Sequence, residues 1–383
     1  MTAPTFRPAT VRQRLTGPVE GSTHLAACSV APRTRDMDDA VATMLDDLSR
    51  PGFWEACEQQ MITARRLFAG LVGADVDQVA ILPNAGVAAH QAVAGRRWRR
   101  RRDLLTTTAE FPGIAHVWQA QSGATVRWCG TTAGRVHEGD YLRSLTTHTG
   151  FVSVPAVTYR DGARLDVRRI VDAAHAVGAV VFVDAYQAAG VMPLRVDALR
   201  CDYLVAGTGK YLLGLPGLAF LYVRDPDGPA PTLTGWLGRT DPHAFRTVGL
   251  DTPAQARRYE TGTPAVAALY TAAAGLARIQ TLDLTQVRRH TQRLVATAAM
   301  RLAGQGETVR VHPSDAQGAH LAVVDPYAED IARWLAGRTI VTAPRGEVLR
   351  LATHAYTTDD DIDAACEAIA SYRHHTGTRG GHR

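Results

Sequence analysis

The stretch that most constrains the fold of this chain runs from Val180 to Val223, VVFVDAYQAAGVMPLRVDALRCDYLVAGTGKYLLGLPGLAFLYV. With Ala179 ahead of it, the run Ala179 to Val183 is apolar, too short for a buried helix, and stops abruptly on an acid. That pattern predicts a strand buried on both faces that presents Asp184 at its C-terminal end. A second run, Tyr203 to Ala206, ends in Gly207-Thr208-Gly209 and Lys210, so two strands deliver an acid and a lysine to one rim of a sheet. A lysine amine can form a Schiff base with an aldehyde cofactor. A carboxylate facing a pyridine nitrogen keeps that nitrogen protonated, so that the ring draws electrons from an attached amino acid. The pair suggests pyridoxal phosphate (PLP), although the tetrapeptide alone reads more readily as a surface lysine in a glycine-rich turn.

The rest of the chain alternates strands with helices. Asp36 to Leu48, with Asp36 as cap, and Trp54 to Leu71 carry apolar residues at helical spacing, separated by Pro51-Gly52. The short strand Val79 to Leu82 feeds Pro83-Asn84-Ala85-Gly86-Val87, where small residues open a helix. Free backbone N–H groups and the positive end of the helix dipole make this turn the best phosphate cradle in the chain. Strands at Leu104 to Thr107, Thr125 to Trp128 and Phe151 to Pro155, then a helix from Val167 to Val177, complete a parallel, doubly wound pattern whose ligands belong at the C-terminal edges. An aromatic leaving such an edge, Phe111, can lie flat on a pyridine ring, and reads equally as plain core. From Ala265 the pattern is that of a smaller α+β domain, with helices Val266 to Ile279, Leu284 to Leu302 and Ala328 to Ala336 and a last helix opened by Asp359 to Asp361.

Composition is compatible with two domains in one globular unit: 383 residues, 46% hydrophobic. A net charge of +5 does not by itself imply nucleic acid. The basic run Arg96-Arg97-Trp98-Arg99-Arg100-Arg101-Arg102 follows a helix end, where cations are favoured, and is read as a solvated face rather than a nucleic-acid patch. Cys28, Cys57, Cys129, Cys201 and Cys366 show no metal-type spacing, so no metal is expected and the thiols are expected reduced, in a cytoplasmic protein. The N-terminal MTAPTFRPATVRQRL lacks the apolar core of a signal peptide, and no run is long enough to span a membrane.

Lys210-Tyr-Leu-Leu-Gly-Leu-Pro-Gly followed by Ala219 to Val223 resembles the lysine segment of the class V aminotransferase superfamily, and Val183-Asp184-Ala185-Tyr186-Gln187 resembles its pyridine-binding segment. The likeness is strongest to isopenicillin N epimerases, cysteine desulfurase-like proteins and kynureninases. It implies a fold type I PLP enzyme: a mainly parallel seven-stranded sheet in a large domain (31–250), a smaller C-terminal α+β domain (251–370), an N-terminal arm near the active site (1–30) and a disordered tail (371–383). Lys210 would be catalytic. Asp184, Gln187, Phe111, Ala85, Gly86, Val87, Thr158 and Thr208 would hold the cofactor, with Trp236 in a kynureninase-like Gly-Trp segment and Thr263 reaching the neighbouring subunit's phosphate in a homodimer. Gly86 and Val87 stand where the family usually has a hydroxyl residue, which leaves the phosphate to backbone amides. Arg350, before Leu351-Ala-Thr-His354-Ala-Tyr356, would take the substrate carboxylate through its guanidinium fork, with Ser29 nearby.

The resemblance implies that an α-amino acid displaces Lys210 from the cofactor aldehyde and that the freed lysine moves protons at its carbons. Desulfurases need a mobile cysteine before the closing arginine motif. This chain has Arg338-Thr-Ile-Val-Thr-Ala-Pro-Arg-Gly there, which disfavours persulfide chemistry. A lyase eliminating at Cβ, breaking a C–S or C–C bond in secondary metabolism, is the expectation, with transamination or epimerisation as alternatives and an inactive regulatory or nucleic-acid-binding relative more remote.

Overall fold

The computed structural model describes residues 11–13, 22–130, 135–228 and 230–377. Thirteen strands are present among them: β1 (Thr23–His24), β2 (Val79–Leu82), β3 (Asp103–Thr107), β4 (Thr125–Cys129), β5 (Thr149–Pro155), β6 (Val180–Asp184), β7 (Tyr203–Gly207), β8 (Ala219–Val223), β9 (Val309–Arg310), β10 (His320–Val324), β11 (Ile340–Val341), β12 (Ala343–Arg345) and β13 (Val348–Ala352). Seven of them form one sheet in the order β2-β8-β7-β6-β5-β3-β4. The neighbours from β7 through β4 all pair in parallel, and β8 runs antiparallel to both β2 and β7. This is the mainly parallel, doubly wound sheet expected from the alternating pattern, with the seven strands that the family resemblance implied. Strands β5, β6, β7 and β8 are buried almost throughout, because helices cover both faces of the sheet.

One layer is anchored by Phe68 of the helix Phe53–Val72, which stacks on Phe220 of β8 at 4.5 Å between ring centres. On the other face, fully buried Trp118 from the helix Pro112–Gln119 packs against Phe151 and Phe182, at 5.3 and 5.2 Å. The first long helix, Arg35–Leu48, is capped by Thr34, whose hydroxyl accepts the Met37 N–H at 3.1 Å. Asp36, the cap expected from sequence, instead pairs with Arg278 at 2.9 Å. A hydroxyl one residue outside the first turn can reach back to a free N–H, whereas Asp36 is already inside the helix.

A second, antiparallel sheet, β12-β13-β10-β9, has its own core of Leu294, Leu321, Leu349 and Ile369. The N-terminal segment links the two units: β1 pairs with β11, the Ala352 N–H donates to Leu25 O, and Ala26 to Cys28 enter the larger core. The helix Val266–Gln280, where the smaller domain was expected to begin, packs against helices Arg35–Leu48 and Phe53–Val72 and contributes to the larger core. Residues 371–376, read from sequence as part of a disordered tail, continue the last helix, Asp359–Thr376; residues 378–383 lie outside the described set. Arg373 holds that end in place by pairing with Glu307 and Asp325 at 2.7 and 2.5 Å.

The arginine run begins one residue past the helix Ala85–Ala94. Arg96, Arg101 and Arg102 donate to the carbonyls of Gly150, Gly178 and Gly123, and the other four residues of the run include three exposed arginines. The run therefore ties strand ends together and otherwise faces solvent. No helix among the described residues is long and apolar enough to cross a membrane.

Trp118 bridges helix and sheet with no exposed surface, so Trp118→Ala is expected to lower the unfolding free energy by about 3–5 kcal/mol, measured by denaturant titration.

Candidate active site

Strands β3, β6 and β7 bring their C-terminal ends to one rim, where Asp184 ends β6 and the loops after β3 and β7 carry Phe111 and Lys210. Lys210 Nζ lies 5.4 Å from the centre of the Phe111 ring and 5.1 Å from that of Tyr186, so two aromatic rings flank the amine. It makes no hydrogen bond or ion pair among the described residues. Burial holds its pKa below the ordinary lysine value, with Asp184 opposing that shift and Arg350 and Arg345 adding to it. A lysine so placed is a better nucleophile and proton carrier near neutrality than a free one.

The lysine loop is gripped from two sides. Thr271 of the helix Val266–Gln280 accepts the Leu215 N–H at 3.1 Å, and His354 Nε2 bonds to Tyr211 O at 2.9 Å. Gly209 has no room for a larger residue: a Cβ there would stand 2.8 Å from Pro216 Cα. Thr208 directs its hydroxyl to Leu215 O and Leu218 O, at 2.6 and 3.1 Å. Its hydroxyl proton is thus committed to the loop's own carbonyls.

Asp184 is buried and accepts the Tyr186 N–H at 2.8 Å. Burial pushes its carboxyl up, while that N–H and Lys210 draw it down. Behind it lies an acid that the sequence reading passed over. Glu110 is buried, accepts the Phe111 N–H at 3.0 Å, and sits 2.6 Å from the Ser153 hydroxyl. Burial first, and the nearby Asp184 charge second, push Glu110 up to about 8. Burial and the neighbouring charge thus favour the protonated form of Glu110, while the Tyr186 N–H and Lys210 favour the charged form of Asp184. The signal was available: Glu110 follows the end of β3 as Asp184 ends β6.

Gln187 donates from Nε2 to Cys28 O at 2.9 Å, leaving one amide N–H and a buried, unpartnered Oε1 facing the site. The turn at Ala85 to Val87 opens the helix Ala85–Ala94 as expected, but the Val87 N–H already donates to Asn84 Oδ1 at 3.0 Å. Ala85 and Gly86 are left as the amides for an anion. Thr158 lies on the loop after β5 with its hydroxyl held by Asp161 at 2.5 Å and by the Ala163 N–H at 2.9 Å, so it locks that loop.

Arg350 is 1% exposed and pairs with no carboxylate among the described residues. Its Nε donates to Ala343 O at 3.0 Å and its Nη1 to Tyr159 O at 2.8 Å, leaving Nη2 buried without a partner. A fixed guanidinium with an unmet donor is suited to a carboxylate. Ser29 accepts from Arg345 at 3.0 Å, a second cation that the sequence reading did not single out. Cys28 is fully buried and its thiol is pushed up by that burial, against the pull of Arg350 and Lys210. All five cysteines are buried and free.

Trp236 and Thr263 are not brought to Lys210 in the single chain. They line a separate cavity of about 430 Å³, together with Trp54, Met61, Phe245 and Arg257, and none of Asp184, Lys210 or Arg350 borders it.

A buried carboxylate at a strand end, an unpaired lysine between two aromatic rings and an anion cradle at a helix start fit PLP. The fold and this site are those of a fold type I PLP-dependent enzyme. The profile described as aminotransferase class-V matches residues 51–363, and the chain belongs to that family. It is 34% identical over 354 residues to the uncharacterized aminotransferase YcbU of Bacillus subtilis, covering 91% of this chain and 94% of that relative. It is 31% identical to a kynureninase of Deinococcus radiodurans, covering 83% and 80%. Among solved structures, the apo cysteine desulfurase from Thermococcus onnurineus NA1 superposes with a TM-score of 0.85 at 18% identity, covering 95% and 98%, a likeness of fold.

Glu110 provides a test of this electrostatic arrangement. The unfolded chain releases the Glu110 proton near 4.5 and the folded chain near 8, so the wild type loses stability as pH rises between those values. Glu110→Gln cannot ionise. Its stability relative to wild type is expected to climb through that window, by at most about 1.4 kcal/mol per pH unit, and to level off above it. Denaturant titrations of the cofactor-free proteins across the window measure this.

Proposed function

We propose that the enzyme is a lyase that breaks a bond at Cβ of an α-amino acid, a C–S or C–C bond. PLP, when bound, supplies an aldehyde for the amino group and a ring that accepts negative charge from the carbons attached to it. The residues of this chain divide the remaining work. Asp184, kept anionic beside a protonated Glu110, would hold the ring nitrogen positive. Phe111 and Tyr186 would pack on either side of the reacting region, and Gln187 would address the ring from the same turn as Asp184. Arg350 would bind the substrate carboxylate through Nη2, and Lys210 would carry protons to and from the substrate carbons.

The observation that carries the reading is Arg350: a buried guanidinium fixed by two carbonyls, with its remaining donor unmet and no acid beside it. The kynureninase-like Phe111-Pro112 pair, which starts the helix Pro112–Gln119 beside Lys210, supports cleavage at Cβ, as does the likeness to kynureninases. The 34% identity to an aminotransferase supports transamination as the second reading. Persulfide chemistry is disfavoured, because the 338–347 segment has no cysteine and Cys366 is buried in the last helix.

The proposal includes a homodimer in which Trp236 and Thr263 reach the partner's cofactor. Phe245, Val248 and Leu250 are 74%, 88% and 80% exposed around that segment, more apolar surface than a single chain is expected to leave to water.

Lys210→Ala is expected to abolish turnover while the protein stays folded; full activity in that variant would end the assignment. Arg350→Lys is expected to raise KM about ten- to hundredfold, the loss of a hydrogen bond to a charged group. Lyase and aminotransferase separate in one assay. The PLP-loaded enzyme is offered amino acids and cysteine S-conjugates without a keto-acid acceptor, and ammonia and keto acid are measured. Catalytic release without acceptor is the lyase outcome. Keto acid appearing only after an acceptor is added would replace the proposal with transamination.

A further inference from the structure

Tyr186 occupies the turn after β6, two residues past Asp184, and its backbone N–H is the donor that Asp184 accepts. Its ring lies directly over Gly207. A Cβ at position 207 would stand 2.1 Å from the ring carbons Cε1 and Cζ and 2.2 Å from the hydroxyl oxygen, so the glycine is what admits the tyrosine. The ring reaches across the ends of β6 and β7 and brings its hydroxyl oxygen toward the backbone N–H of Ala85, the first residue of the helix Ala85–Ala94. The phenol is held protonated by burial and by the Asp184 charge, and its own proton is donated to no group among the described residues.

The turn it meets lacks what it offers. Pro83, Asn84, Ala85, Gly86, Val87, Ala88 and Ala89 include no hydroxyl, and the Val87 N–H is already taken by Asn84. An anion at this helix start would find the amides of Ala85 and Gly86, the helix dipole and one unspent O–H.

We infer that Tyr186 is a positioning residue for the cofactor phosphate: its hydroxyl, set over Gly207 beside the free amides of Ala85 and Gly86, donates its proton to a phosphate oxygen seated at the start of the helix Ala85–Ala94. The bare Gly207 and the hydroxyl-free cradle are then two sides of one arrangement, in which a hydroxyl brought from the β6 turn serves where the cradle carries none. The inference rests on the PLP assignment and adds to it which side chain recognises the phosphate.

The test compares two ligands that differ only in that phosphate. Cofactor-free wild type and Tyr186→Phe are titrated with PLP and with pyridoxal, following the visible absorbance of the bound ligand. Phenylalanine keeps the ring and removes the donor. The expected result is PLP affinity reduced about tenfold or more, the size of a lost hydrogen bond to a charged acceptor, with pyridoxal affinity unchanged. Equal losses for both ligands would assign Tyr186 to ring packing. Unchanged or tighter PLP binding would mean that the hydroxyl only fills the phosphate's place; each of these overturns the inference. Should Tyr186→Phe melt at a clearly lower temperature, Gly207→Ala displaces the same hydroxyl from the other side and must reproduce the phosphate-selective loss. Wild type that takes up no PLP would sink the enzyme assignment as well, whereas uptake that ignores both substitutions overturns this inference alone.

Discussion

The structure depends on keeping one negative charge at the buried end of a parallel sheet. Asp184 ends a strand whose neighbours are apolar, and an isolated carboxylate in such a place would simply hold its proton. Two local features oppose that outcome: the Tyr186 N–H and the Lys210 amine within electrostatic reach. Two buried acids would repel if both ionised. Ser153 and the Phe111 N–H hold Glu110 in position, and burial and the Asp184 charge push it up.

Lys210 is positioned by elements from both halves of the chain. The helix Val266–Gln280 meets the loop through Thr271 and comes so close that Gly275 could not carry a side chain: a Cβ there would lie 2.3 Å from Leu212 O. The turn after β13 meets it through His354, which burial holds neutral, with its pKa lowered to about 4, and which bonds to Tyr211 O. Arg350 belongs to the strand just before that turn. The group suited to the substrate carboxylate and the group holding the lysine loop therefore lie on one continuous segment, Val348 to Thr357. Movement of the smaller sheet would shift the two together.

The sequence made the sheet legible because its central strands are short apolar runs with one charged or glycine-rich end, a pattern that neither a helix nor a loop reproduces. Asp184 and Lys210 could be assigned for the same reason, each at the end of such a run, whereas Arg350 lies in the middle of β13 and could be assigned only through the family resemblance. Thr158 and Thr208 could not. A threonine beside an active-site loop looks the same in sequence whether its hydroxyl faces a ligand or, as here, closes onto Asp161 or Leu215 O. Glu110 was hidden by proximity to a more conspicuous aromatic, and Tyr186 by its place inside a recognisable segment where attention went to the acid and the glutamine. The path of the last helix through residues 371–376 was missed because its stabilisation is tertiary: Arg373 is fixed by Glu307 and Asp325, distant in sequence.

The segment between β8 and the helix Val266–Gln280 behaves differently from everything around it. Its described residues form only short 3₁₀ turns, Trp236–Gly238, Pro242–Ala244 and Ala256–Tyr259, and are held by contacts such as Arg239 to Asp251 and Arg65 to Glu260. A segment so poor in regular structure ordinarily stays polar, because nothing covers it. This one stacks Trp236 on Phe245 beside an apolar cavity and leaves Val248 and Leu250 to solvent. Isolated exposed apolar residues need no explanation, but a contiguous group around a cavity does. Covering by a second copy would explain both the exposure and the distance of Trp236 and Thr263 from the lysine of their own chain. One contact would then bury the apolar surface and complete the active site, so that cofactor retention and association would be linked: whatever strengthens one would strengthen the other.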